Sequence, residues 1–309
     1  MVLNHCGSSH WWMNDLPSKD WINNEGVFLQ TNHATVTVMD IHASATEKRT
    51  FLDGWFTRGM PDMNQRNRHL ATYLIQNRIW WIEYARIDGI RQDTYSYLDY
   101  NFLARWCREV YNEYPNFSIV GETWYNKATA PAWWQQNSRV SQHNSYLKTV
   151  MNFSLTFITQ NAFGISDNGN LTNISEDIAQ DFIYSDPYNL LVFLDNHDLS
   201  RFNRKDETDL KRYKQGLAFL LTVRGIPQIY YGTEVLMTGA KEEGDGRLRK
   251  DFPGGWPNEE KNEFASDGRT DLQNEAWDYM QKLLQWRKKN VAVTQGRMIH
   301  YAPRNGVYV

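Results

Sequence analysis

Apolar and polar positions follow two rhythms along this chain, and their order predicts its architecture. Leu70, Leu74, Ile75, Ile79 and Ile82 recur at helical spacing within residues 67–85, the mark of a helix with one buried stripe. A short apolar run, residues 87–93, follows directly and reads as a strand. The succession then repeats, with helices predicted over 99–114, 171–184, 210–223 and 272–289. Strands are predicted over 117–122, 150–155, 190–194 and 226–231, and a short Trp-rich segment over 131–135. Nearly continuous apolar strands that alternate with helices are parallel and buried on both faces. With the strand end at residues 1–5, six core strands are expected.

Three stretches break the rhythm. Residues 6–58 are irregular, with a single strand expected at 35–39. A loop of that length in a compact domain is usually functional. Residues 241–269 are polar and Gly-rich, and 298–309 read as the opening strand of a further domain.

Composition narrows the function classes. The 309 residues are 41% hydrophobic and 22% charged, ordinary for a globular chain with a sizeable core. A net charge of −3 offers neither nucleic acid nor a membrane surface a basic face. No apolar run reaches the roughly 18 residues of a membrane span. Cys6 and Cys107 have no CxxC spacing, so neither a zinc site nor a disulfide framework is implied. The 13 Trp and 17 Tyr are unusual for so polar a chain. Such rings join an apolar face to a polar edge and suit sugars, although core packing accounts for most of them. Among Trp11, Trp12, Trp124, Tyr125, Trp133 and Trp134, two or three are expected to touch substrate.

Candidate chemistry gathers at predicted strand ends: Asn4 and His5, Arg91 and Asp93, Glu122, and Asp195-Asn196-His197-Asp198. Arg91 and Asp93 lie two apart on a strand and share a face. A cation beside a carboxylate favours its charged form, which makes Asp93 a candidate nucleophile or base. In a parallel β/α barrel the C-terminal strand ends form the active-site face, so Asp93, Glu122 and Asp198 are expected to share one pocket. Crowded carboxylates separate their protonation states, the division of labour that glycoside cleavage uses.

These residues also carry a family resemblance. Val2-Leu3-Asn4-His5, Gly89-Ile90-Arg91-Gln92-Asp93, Val120-Gly121-Glu122 and Phe193-Leu194-Asp195-Asn196-His197-Asp198 resemble, in order, the four signature regions of the α-amylase family, glycoside hydrolase family 13. Met60-Pro61-Asp62-Met63-Asn64 is similar to a segment marking its neopullulanase and cyclomaltodextrinase branch, and residues 225–234 are similar to its last barrel strand. The resemblance implies an (β/α)8 TIM-barrel catalytic domain, incomplete, with the first two strands missing. Residues 1–5 would end the third strand, 6–58 form a loop-rich insertion, 59–290 the rest of the barrel, and 291–309 the start of a C-terminal β-sandwich domain. Such a truncated chain is expected to fold poorly alone.

The resemblance further implies that Asp93 is the nucleophile, Glu122 the general acid/base and Asp198 the transition-state carboxylate. His5, Arg91, His197 and Trp124 would bind substrate or orient the catalytic groups. The implied partner is an α-glucan such as a maltooligosaccharide, cyclodextrin or pullulan, with hydrolysis ahead of transglycosylation or non-catalytic glycan binding. No cofactor is required for the chemistry; a structural calcium is allowed, with Asn4 as its candidate ligand. Thr94-Tyr95-Ser96-Tyr97 replaces the Lys-His of many α-amylases and removes one support for that calcium. A periplasmic or secreted location is favoured over a cytoplasmic one, and oligomers are compatible with the sequence.

Overall fold

The computed structural model describes residues 1–163, 170–203 and 210–309. The chain packs as two compact units, one of residues 1–153 and 182–189, the other of residues 154–181 and 190–309.

In the first unit, helix α1 (Ala45–Leu52) lies in the insertion and helix α2 (Arg68–Ala85) follows it. The Asn67 side chain accepts from the amides of His69 and Leu70, starting α2, a standard N-cap. Leu70, Leu74, Ile75 and Ile82 form its buried stripe. Arg86 ends the helix in the left-handed conformation, φ 50° and ψ 45°. That turn position is usually glycine, and nothing in the structure explains the arginine. Strand β1 (Gly89–Gln92) comes next, then helix α3 (Tyr100–Glu113), capped by Asp99. Strand β2 (Ser118–Gly121), helix α4 (Thr129–Trp134) and strand β3 (Thr149–Met151) complete the unit.

The strands pair in parallel, β1 with β2 and β2 with β3, in the register Arg91↔Val120 and Gln92↔Gly121. Gly121 is required by a close approach. A Cβ there would lie 2.9 Å from the Tyr95 ring and 2.6 Å from Leu147 Cδ2, and Tyr95 itself is fully buried. Residues 1–3 form no assigned strand, yet Met1 O accepts from the Asp93 amide at 2.9 Å. The buried Arg78 guanidinium donates to Val2 O and ties the same segment to α2.

The insertion differs from expectation in two places. Residues 35–39 form successive turns, with Thr37 N bonded to Ala34 O and Met39 N to Val36 O. Local turn bonds win there because, among the described residues, no strand pairs with the segment to satisfy its backbone. Helix α1 was not anticipated; Ser44 caps it through the Glu47 amide, and Phe51 is its buried anchor.

In the second unit, helices α5 (Phe153–Phe163) and α6 (Leu171–Ile178) precede strand β4 (Leu190–Phe193). Helix α7 (Leu210–Thr222) and strand β5 (Ile226–Gln228) follow, and β4 pairs with β5 in parallel. The single-turn helix α8 (Asp245–Leu248), helix α9 (Asp271–Lys289) and the short α10 (Val291–Thr294) end the order. A Thr270–Gln273 capping box starts α9. The strand expected over 150–155 stops at Met151 and α5 begins at Phe153, since short apolar runs do not distinguish strand from buried helix. Polar residues of α5 serve the end of β4: Thr156 donates to Phe193 O at 2.8 Å and Gln160 to Leu194 O at 2.7 Å. Residues 298–309 form an isolated Arg304–Val307 bridge and a Tyr301 N to Val309 O bond instead of a strand.

Candidate active site

The β1–β2 register continues one step beyond the strands, where Asp93 comes beside Glu122, and the Glu122 amide donates to Gln92 O at 3.1 Å. Arg91, two residues before Asp93, reaches both carboxylates. Its Nη1 donates to Asp93 Oδ1 and its Nη2 to Glu122 Oε1 at 2.5 Å. The second Glu122 oxygen accepts from the Thr94 amide at 2.7 Å. Thr94 stands in the left-handed conformation, φ 49°, and that turn aims its N–H back at Glu122. Glu122 is only 5% exposed, so its charge is held by a cation and a fixed main-chain dipole, as burial demands.

His5 stands near Asp93. Burial pushes its imidazole below the ordinary histidine range, and the Asp93 carboxylate opposes that shift. Its Nδ1 lies 3.4 Å from Asn4 Oδ1, and its ring meets Phe56 edge-on at 5.6 Å. Phe56 also packs on Tyr97 at 4.7 Å and on His33 at 5.6 Å. Burial and the Glu122 charge push the Tyr97 phenol up to about 12. Phe56, His33 and Tyr97 thus build an aromatic wall that sequence reasoning missed. Only the surplus of aromatic residues hinted at such a wall.

Asn4 serves Asp62. Its Nδ2 donates to Asp62 Oδ1 at 2.6 Å, and Asn23 Nδ2 donates to Asp62 Oδ2 at 2.7 Å. The Asn23 oxygen is taken by Arg66 Nη2 at 2.8 Å. Asp62 is 1% exposed, and burial pushes its carboxyl well above the usual range. In this arrangement amide N–H groups face the carboxylate, whereas a calcium shell presents oxygens. Among the described residues, no group of three or more His, Cys, Asp or Glu could hold a metal.

Trp124 is half-buried and stacks on Phe153 at 4.7 Å. Trp12 and Trp134 are core residues and Trp11 is 65% exposed.

In the second unit, Asp195-Asn196-His197-Asp198 leaves the end of β4 as a tight turn. Asp195 is fully buried, accepts from the Phe202 amide at 2.7 Å, and is pushed up to about 6 by burial. Asn196 Oδ1 accepts from the Asp198 amide at 2.9 Å and the Leu199 amide at 3.0 Å, an Asx turn that aims the Asp198 side chain. His197 Nε2 lies 3.1 Å from Asp198 Oδ2, and Arg249 Nη2 donates to Asp198 Oδ1 at 2.8 Å. Arg249 was also missed, because nothing separates it by pattern from the neighbouring Arg247 and Lys250.

Residues 1–304 match the alpha-amylase catalytic domain. The chain is 26% identical over 275 residues to an α-amylase of Niallia circulans, covering 87% of this chain and 46% of that protein. It is 28% identical over 250 residues to a cyclomaltodextrin glucanotransferase of Bacillus licheniformis, covering 81% and 31%. The crystal structure of an Anoxybacillus α-amylase superposes with a TM-score of 0.75 at 27% identity, covering all of this chain and 60% of the other. The chain thus spans less than half the length of these two curated relatives, and its five described strands are those of a partial parallel barrel. The signature regions, the parallel β/α order and a match over nearly every residue agree, and the chain belongs to the α-amylase catalytic-domain family.

Proposed function

We propose that this chain provides the catalytic groups of a retaining α-glucan hydrolase acting on α-1,4 and, in some substrates, α-1,6 glucosidic bonds. One observation carries the reading: a single guanidinium, Arg91, clamps the carboxylates of Asp93 and Glu122 at adjacent strand ends. Asp93 attacks the anomeric carbon, Glu122 protonates the leaving oxygen and later activates water, and Asp198 stabilises the oxocarbenium-like transition state. His5 and His197 bind hydroxyls of the sugar being cleaved, and Trp124 offers an aromatic face. Both Glu122 oxygens accept N–H groups in the resting arrangement. Each oxygen has a second lone pair, where the proton of the acid step can sit while the N–H bonds hold the carboxyl in place.

Family membership supports the α-glucan substrate, and the named activities of the relatives are those of that class. The match to a cyclomaltodextrin glucanotransferase favours a second reading, in which a sugar hydroxyl resolves the glycosyl-enzyme in place of water. A glycan-binding homologue without turnover is less well supported, since the Arg91-clamped carboxylates Asp93 and Glu122 serve no purpose in it. No helix among the described residues is long and apolar enough to cross a membrane; a periplasmic or secreted site of action is our proposal.

The test is the Asp93→Asn variant of the intact protein assayed on maltoheptaose. Release of reducing sugar should vanish while binding, followed by calorimetry, persists. Substantial remaining turnover would move the nucleophile elsewhere, and binding without turnover in the unmodified protein would leave only the glycan-binding reading.

A further inference from the structure

We propose that Arg249 is a positioning residue for Asp198, and that the buried Arg201 is the post that fixes it in place. The inference rests on the catalytic reading of Asp198.

Arg249 grips the Asp195–Asp198 turn at two points. Its Nε donates to His197 O at 3.0 Å and its Nη2 to Asp198 Oδ1 at 2.8 Å. The same nitrogen lies 3.3 Å from Asp245 Oδ2. With His197 Nε2 at Asp198 Oδ2, each carboxylate oxygen of Asp198 has its own nitrogen partner, and rotation about its last torsion would break both. A planar guanidinium that binds a carboxylate and the adjoining carbonyl together sets direction as well as charge.

The backbone on either side of Arg249 is fixed independently. Arg201, 1% exposed, donates from Nε to Leu248 O at 3.1 Å and from Nη1 to Tyr231 O at 2.6 Å. Tyr231 OH in turn donates to Lys250 O at 2.7 Å. The Arg201 guanidinium lies over the rings of Tyr230 and Tyr231, 4.4 and 5.0 Å from their centroids. The carbonyls immediately before and after Arg249 are thus both anchored. A surface loop alone would leave its guanidinium free to swing; here its origin is fixed and only its side chain reaches out, 43% exposed. Arg249 can be truncated without opening the core.

The experiment is a double-mutant cycle in the intact protein with a 4-nitrophenyl α-maltooligosaccharide, whose good leaving group keeps slow variants measurable. Arg249→Met should lower kcat by about 10- to 100-fold with KM within about twofold. Arg249→Lys, which keeps the charge but loses the fork, should recover part of the loss. Combined with Asp198→Asn, the Arg249→Met change should cost less than about twofold more, because its effect passes through Asp198. Equal melting curves for Arg249→Met and the unmodified protein separate this from a folding defect. Multiplicative effects in the double variant, or a loss confined to KM, would overturn the positioning role while leaving Asp198 catalytic. Full turnover by Asp198→Asn alone would overturn the catalytic reading of Asp198 and the inference with it.

Discussion

The two units hold their carboxylates by different means. In the first, Asp93 and Glu122 follow directly from paired strands, and one guanidinium on the same sheet face joins them. In the second, Asp198 projects from a turn, shaped by Asn196 and gripped by an arginine more than 50 residues on in the chain. A sheet sets position through a repeating register, so its errors are shared and small. A turn depends on individual side chains, each of which can be removed alone. Damage to the first unit should therefore affect stability and chemistry together, and damage to the second should affect chemistry first.

The sharpest break would come from Arg91→Met. Glu122, a buried carboxylate, would then lose the Arg91 guanidinium, at a cost of about 3 kcal/mol in a denaturant titration, and turnover should fall by about 10²- to 10³-fold. A stable protein with normal turnover would show that the sheet, not the guanidinium, sets the pair. Asp62→Ala tests the same unit away from the carboxylate pair. It strands the amides of Asn4 and Asn23, and should cost about 2–4 kcal/mol by chemical denaturation. Calcium or EGTA should leave the melting midpoint of the unmodified protein unchanged; a clear rise with calcium would mean that Asn4 and Asn23 turn their oxygens inward to a cation.

In the second unit, Asn196→Ala removes the acceptor for two amides and should cost only about 1–2 kcal/mol, with a larger proportional fall in kcat. Equal losses would erase the contrast between the units. The smallest effect is a pH slope. Asp195 titrates near 6 in the fold and near 3.9 when unfolded, so the native state binds more protons between those values. Stability should therefore fall as pH rises from about 4 to 6, then level off. Asp195→Asn should remove that slope, as measured by urea midpoints across the range.

The contrast also explains what could be read from residue order. Strands β1 and β2, and with them the partnership of Arg91 and Asp93, follow from a two-residue period that any sheet imposes. The start of α2 at Asn67 and its stripe of Leu70, Leu74, Ile75 and Ile82 follow from the 3.6-residue period in the same way. Arg249 obeys no period, since its role depends on where a Gly-rich loop returns. Phe56 and Tyr97 meet through an insertion whose path is set by Asp62, Asn23 and Arg66, contacts that no local pattern announces. Helix α5 was hidden because its apolar run looks alike in either conformation until Thr156 and Gln160 find the carbonyls of β4.

One contact in the first unit limits how this protein can vary. The Tyr95 ring occupies the space that any side chain at position 121 would need, and Tyr95 is itself locked in the core. Leu147 presses on the same point, so position 121 can change only together with both neighbours, giving up a large aromatic ring and leucine packing for a small gain at the strand. Glu122 is the next residue, so its height above the sheet is protected from drift by a neighbour that takes no part in the chemistry.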